Sequence, residues 1–238
     1  LLDFGSVGSD EISKGPGGSL YGAGTGGVIL LKSPEIHQSQ LQADLTIGSY
    51  GLRRYLFRGQ AHSERILTNV QFALHRSDGY REQTELKRAA VNADIKFLTA
   101  NGALSATLLY SNLSYGTPGG LTKAEFESNP QQARPPTASL GGVQAGAAVE
   151  NKTVYGGIAY DHDWNTQWTS TIGAYAGSSM FENPTIRNYE SRDETNFGAR
   201  TTTEYKFYKN EASSYKFTFG GEFQYFKSPI AVFDNNGS

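Results

Sequence analysis

The chain of 238 residues has no cysteine, a formal net charge of −2 and 28 glycines, with 37% apolar and 12% aromatic residues. These values exclude a disulfide framework and a thiolate metal site, and they leave no basic footprint for a nucleic-acid partner. No apolar run, Val28–Leu31 included, approaches the roughly 20 residues of a membrane-spanning helix; low apolar content with many glycines and aromatics fits walls whose second face is polar.

The first feature along the chain is the glycine-rich stretch Lys14–Lys32. Gly22, Gly24 and Gly27 satisfy G-x-G-x-x-G, the dinucleotide fingerprint, which works only between a strand and a helix N-terminus. Here Val28-Ile29-Leu30-Leu31 and then Pro34 follow, a β-like run closed by a helix breaker, so no helix starts there. On its residues alone the stretch is a glycine-rich turn between two strands. Lys14-Gly15-Pro16, Leu20-Tyr21-Gly22 and Gly26-Gly27-Val28-Ile29, in that order and spacing, resemble the C-terminal signature of the plug domain of TonB-dependent outer-membrane receptors. In that setting Gly15, Gly22 and Gly26 take φ > 0 or allow close backbone approach, Pro16 fixes a turn, and Tyr21 is an aromatic anchor with a polar tip. The family usually carries an Arg and a β-branched–acid–β-branched run before the Lys-Gly-Pro; Ser9-Asp10-Glu11-Ile12-Ser13 stands there instead.

After Pro34 the pattern turns to period two. Apolar rows run Leu41–Ile47, Tyr55–Ala61 (with Leu56 fitting poorly), Ile66–Leu74, Ala89–Phe97, Leu104–Tyr110, Val154–Tyr160, a weaker Trp168–Gly177, Phe197–Phe207 and Tyr215–Tyr225. These predict nine strands, several near the length that a tilted strand needs to cross a bilayer. Alternation alone fits a two-layer sandwich as well as a barrel. The connections discriminate better. Ser49–Gly51, Ser77–Glu85, Tyr115–Ala145 and Phe181–Thr195 alternate with His62–Glu64, Thr99–Gly102, Asp163–Thr166 and Tyr208–Ser214. One set stays short while the other grows after a tight first member, as in outer-membrane barrels. Trp164, Trp168, Tyr205, Phe207, Tyr208 and Tyr215 crowd the strand ends, where an interfacial girdle belongs.

On the polar rows, Arg54, Arg58, Asp94, Lys96, Arg200 and Glu204 are expected to line a lumen, bonding to the plug and to neighbouring strands, with a ligand role open for each. Within Tyr115–Ala145, Thr122-Lys123-Ala124-Glu125 reads as a capping box, and Pro130 stops the helix after Asn129. Pro118–Thr122 and Gln132–Pro135 resemble a loop of siderophore and ferric-citrate-type receptors. Arg134 there suits either an anionic chelate or a loop-anchoring role. His37, His62, His75 and His162 lack metal-ligand spacing, the side chains of Asp161-His162-Asp163 diverge on a strand, and no G-x-S-x-G occurs. No enzyme, metal or cofactor is expected.

The resemblance implies an all-β chain: residues 1–34 as the C-terminal part of a plug domain, and 35–238 as the N-terminal part of an incomplete transmembrane antiparallel β-barrel. That barrel would hold about nine strands of an expected twenty-two. With no leader-like segment at Leu1–Gly5, the chain reads as an internal fragment. The implied function is uptake of a ferric siderophore or similar scarce ligand across the outer membrane of a Gram-negative bacterium. TonB would energise it through an N-terminal box outside this chain, and outer-membrane lipid would surround it. Cobalamin, haem, nickel and oligosaccharides stay open as ligands. Two rivals share the strands: a passive porin, and a soluble β-sandwich binding or adhesion module whose apolar rows would pack on each other.

Overall fold

A computed structural model describes residues 5, 7–15, 26–210 and 213–237. β1 (Ser9–Lys14) and β2 (Gly27–Lys32) pair antiparallel as a separate two-stranded sheet, Ser9 facing Lys32 and Lys14 facing Gly27. A strand therefore forms across Ser9–Ser13, where the family's usual residues are missing. Gly15 has φ +92° and Gly27 φ +149°. A Cβ on Gly27 would lie 2.5 Å from the Ser13 carbonyl oxygen, whereas one on Gly26 would meet nothing within 4 Å. Close approach thus falls on Gly27 rather than on Gly26. Pro16, Leu20, Tyr21 and Gly22 lie outside the described residues.

The remainder is one antiparallel meander: β3 (Gln40–Ile47), β4 (Arg53–His62), β5 (Ile66–Ser77), β6 (Leu86–Thr99), β7 (Gly102–Gly116), β8 (Ala148–Asp163), β9 (Trp168–Pro184), β10 (Asn188–Asn210) and β11 (Ser213–Lys227), each paired with the next. A further segment, β12 (Ile230–Asp234), pairs with the start of β10. Thr195 faces Lys227, and three residues on, Arg192 faces Ile230, so the register of β11 carries through unchanged. β12 is thus the continuation of β11, interrupted at Ser228-Pro229 because proline has no N–H for the ladder. Nine strands result, as the alternation predicts.

Strand ends depart from expectation in one direction. The predicted connection Phe181–Thr195 shrinks to residues 185–187, since β9 runs to Pro184 and β10 starts at Asn188. The first half of β10 (Asn188-Tyr189-Glu190-Ser191-Arg192-Asp193-Glu194) is polar on both faces, so it carries no apolar alternation, yet its hydrogen-bonded ladder to β9 persists. At 23 residues β10 far exceeds the 9–11 that a bilayer crossing requires, and the surplus lies at the end with the long connections.

The two faces of the sheet are chemically opposite. Ile158, Ile172 and Phe223 on the apolar rows are each about 60% exposed, most other large apolar side chains of these rows are exposed with them, and none is buried. Buried residues lie on the polar rows instead: Asn69, Gln71, Asn92 and Ser111, with an apolar trio, Leu56, Ala73 and Ala90, side by side on β4, β5 and β6. Leu56, which fits the polar row poorly, belongs to this trio. A sandwich requires the reverse, apolar rows meeting face to face, and is excluded.

Candidate functional site

The polar face is joined by a hydrogen-bonded row running across five strands. The Gln40 amide bonds to Gln60, Gln60 Nε2 donates to Asn69 Oδ1 (3.3 Å), and Asn69 Nδ2 donates to Asp94 Oδ2 (3.2 Å). Asp94 Oδ1 also accepts from Thr107 Oγ1 at 2.9 Å. Beside this row Arg58 donates to Gln71 Oε1 (3.2 and 3.3 Å) and to Gln42 Oε1 (3.4 Å). Asn69 is fully buried and Gln71 is 2% exposed, so these amides depend on protein partners for their hydrogen bonds.

Asp94 accepts a third bond, from Ser33 Oγ at 2.9 Å. Ser33 begins the segment that leaves β2, and residues 33–37 lie across the polar face. Beneath them a cavity of about 450 Å³ is lined by Asp94, Lys96, Ser105 and Thr107. The chain leaving the small sheet is therefore held on the polar side of the large one. Farther along the face, Glu204 pairs with Lys216 Nζ at 3.0 Å, and Arg200 stands opposite Glu222, which accepts from the Tyr175 hydroxyl at 3.2 Å. Arg54 shares this face, opposite Thr46 and His75. All six predicted polar-row residues thus lie on one face, but in separate groups rather than one constellation.

The longer connections knit together at one end of the sheet. Asp78 N and Ser77 Oγ donate to the Tyr50 carbonyl, and the Tyr50 and Tyr80 rings meet edge-on at 5.4 Å. Arg81 donates to the carbonyls of Gly119 (Nη2, 2.9 Å) and Gln132 (Nε, 3.1 Å; Nη2, 3.0 Å). Glu82 accepts from Ala133 N, and Gln83 Nε2 donates to the Ala147 carbonyl. Asn235 Nδ2, just past β12, reaches the carbonyls of Ala145 and Thr185.

Within this cluster α1 (Lys123–Ser128) has the predicted capping box: Thr122 Oγ1 accepts from Glu125 N (3.3 Å), and Glu125 Oε2 accepts from Thr122 N (2.7 Å). The Thr122 backbone N–H, then its hydroxyl, hold the Glu125 carboxyl below the usual range, with nearby Arg134 adding to the effect. Arg134 is fixed through its backbone, donating to Pro118 O and accepting from Gly142 N, and its stem lies against Gly119.

Sequence reasoning missed Ser33, Gln60, Asn69, Thr107 and Arg81. A row of Gln and Asn at Gln60, Asn69, Gln71 and Asn92 was the available signal for the first group. The Arg81 guanidinium donates to backbone carbonyls, which no side-chain pattern reveals. Asp161 and Asp163 accept from Thr171 and Thr169 on the polar face while His162 points away, and among the described residues no three metal-binding side chains converge. No helix among the described residues is long and apolar enough to cross a membrane, which says nothing of strands.

No family model matches the sequence. Solved structures do match. The ferric citrate transporter FecA in unliganded form aligns over 99% of this chain and 37% of its own, at 13% identity and a TM-score of 0.80. The siderophore receptor PiuA from Acinetobacter baumannii aligns over 95% and 36%, at 19% identity and TM-score 0.78. The ferric-catecholate import receptor Fiu from E. coli K12, in its open form, aligns over 93% and 40%, at 17% identity and TM-score 0.75. The chain has the fold of a TonB-dependent receptor. It spans a little over a third of the length of these receptors, and its nine strands form an open sheet rather than the closed ring of a complete receptor barrel. Identities this low carry the receptor fold alone.

Proposed function

We propose that the protein containing this chain is an outer-membrane receptor that takes up a ferric siderophore or similar chelate, energised through TonB. Residues 1–34 are the end of its plug, and residues 35–238 the first strands of its barrel. The observation that carries this reading is the division between the two faces. Apolar rows look outward along the meander, while the segment leaving the β1–β2 sheet is bound to the polar face at Asp94. A lipid-embedded wall with an internal plug requires this division. The siderophore and ferric citrate receptors matched by structure point to an iron chelate as cargo.

In this reading Arg54, Arg58, Asp94, Lys96, Arg200 and Glu204 face the lumen, and the knitted connections, with Arg134 among them, form the outer mouth. The signature Lys14, Gly15, Pro16, Leu20, Tyr21, Gly22, Gly26 and Gly27 belongs to that plug segment. No covalent step is asked of any residue; binding and gating suffice. The test deletes the gene for the full protein and measures growth on single ferric chelates. Growth lost on one chelate and restored by the gene, but not by a version lacking its N-terminal TonB box, supports the reading. Unchanged growth on every chelate, with the protein absent from the outer-membrane fraction, overturns it.

A further inference from the structure

The outward face carries an ordered polar group near one end of the sheet. Beside the short turn at residues 164–167, His162, Ser170 and Thr203 face one another across β8, β9 and β10. Trp164 and Trp168 flank this row on the turn side, and Tyr160 and Ile172 on the other. Trp164 Nε1 donates to Ser170 Oγ at 3.0 Å, and Ser170 Oγ shares a hydrogen bond with Thr203 Oγ1 at 2.9 Å. The His162 and Trp164 rings meet edge-on at 4.4 Å, and Trp168 stacks obliquely on Tyr205 at 4.6 Å. A cavity of about 300 Å³ opens between His162, Trp164, Ser170 and Ile172.

The imidazole has a defined free side. Its Nδ1 lies 3.2 Å from the Tyr160 hydroxyl, and among the described residues no hydrogen bond reaches Nε2. In the tautomer in which the Tyr160 O–H donates to Nδ1, the ring proton sits on Nε2, and the imidazole lines the cavity. The Trp164 N–H is spent on Ser170, and the Ser170 and Thr203 hydroxyls use one hydrogen between them, so the imidazole N–H and one hydroxyl hydrogen are the niche's unspent donors.

We propose that this niche seats the phosphodiester headgroup of a glycerophospholipid, with His162 Nε2–H donating to a phosphate oxygen. The inference rests on the outward face being the lipid face, as the receptor reading requires. Depth supports it: His162 and Ser170 are the last outward-facing pair of β8 and β9 before a short turn, the level of the headgroups. Chemistry supports it, because a donor facing the bilayer finds its acceptor in the interfacial phosphates and none in the hydrocarbon. Shape supports it too. Beyond Ile172 the row narrows to small side chains, Ala174 opposite Ala199 and then Ala176, where an acyl chain can lie close to the strands.

The test titrates phosphatidylglycerol against the purified full-length receptor and counts retained lipids by native mass spectrometry. Wild type is expected to hold one lipid more tightly than the rest. His162→Leu should weaken that site about tenfold, the worth of one hydrogen bond to a charged group. His162→Gln, which keeps an N–H donor, should retain most of it, and Thr68→Leu, outward on distant β5, should change nothing. Wild-type retention by His162→Leu, or an equal loss in Thr68→Leu, overturns the niche. A receptor that does not fractionate with the outer membrane overturns the receptor reading, and the niche with it. One that does fractionate there, with His162→Leu unaffected, overturns the niche alone.

Discussion

At the scale of single residues, Asp94 does the most joining. Its carboxylate accepts from a strand-borne amide, a neighbouring hydroxyl and the segment leaving the small sheet. Asp94→Ala would leave the buried Asn69 amide without its acceptor, at a cost of about 1–3 kcal/mol. The expected outcome in the full-length protein is a lower denaturant midpoint, together with faster backbone amide exchange in residues 33–37. Gly51 is the second pressure point. It has φ +67° in the tight β3–β4 turn, and a Cβ there would lie 2.1 Å from Asp78 Oδ2. Gly51→Ala should cost at least about 1–2 kcal/mol, the penalty for a side chain in the left-handed region, read from the same unfolding curve. Sequence alone placed Asp94 on the right face because the period-two row fixes which way a side chain points. Its partners were not legible, since Ser33 reaches it from 61 residues away. Gly26 was misjudged for Gly27 because adjacent glycines are equivalent in composition and differ only in backbone angle.

At the scale of elements, the nine strands were legible wherever one face is apolar. They faded where both faces are wet, in the first half of β10 and the last turns of β9. The helix α1 was legible because a capping box is local chemistry, needing only Thr122 and Glu125 at the right spacing. Its pH behaviour follows from the depressed Glu125 carboxyl. A lowered folded-state pKa contributes stability above the ordinary glutamate value, and that stability is lost as pH falls through the folded value. Amide exchange at Glu125 and Phe126, corrected for intrinsic rates, should therefore rise on acidification, and Thr122→Ala should remove most of that dependence. Arg81 ties the connection from 117 to 147 to its neighbour, its guanidinium reaching two of the connection's carbonyls. Arg81→Ala leaves the Gly119 and Gln132 carbonyls without that donor, so trypsin should cut at Lys123 several-fold faster while the strands resist. Arg81→Lys should not restore resistance, because an ammonium lacks the planar fork that spans two carbonyls.

At the scale of the whole molecule, what governs behaviour is an open sheet with apolar side chains exposed along one face. β3 and β11 each have one unpaired edge, since the path of pairing ends at both. Backbone groups left unpaired in hydrocarbon cost several kcal/mol each, and a ring of strands escapes that cost only by closing. The outward rows add a second demand: Leu41 is 91% exposed, and Phe217, Phe219 and Phe223 stand together on β11 with nothing over them. In water such rows drive aggregation, and in a bilayer the edges oppose insertion, so neither solvent suits the 238 residues alone. Expressed by themselves and refolded in detergent, they should migrate identically with and without boiling and stay sensitive to protease throughout. The full-length protein should shift on boiling and be protected along β4 to β10. A compact, heat-modifiable species from the 238 residues alone would mean that the two edges find each other, and that closure needs fewer strands than the matched receptors use.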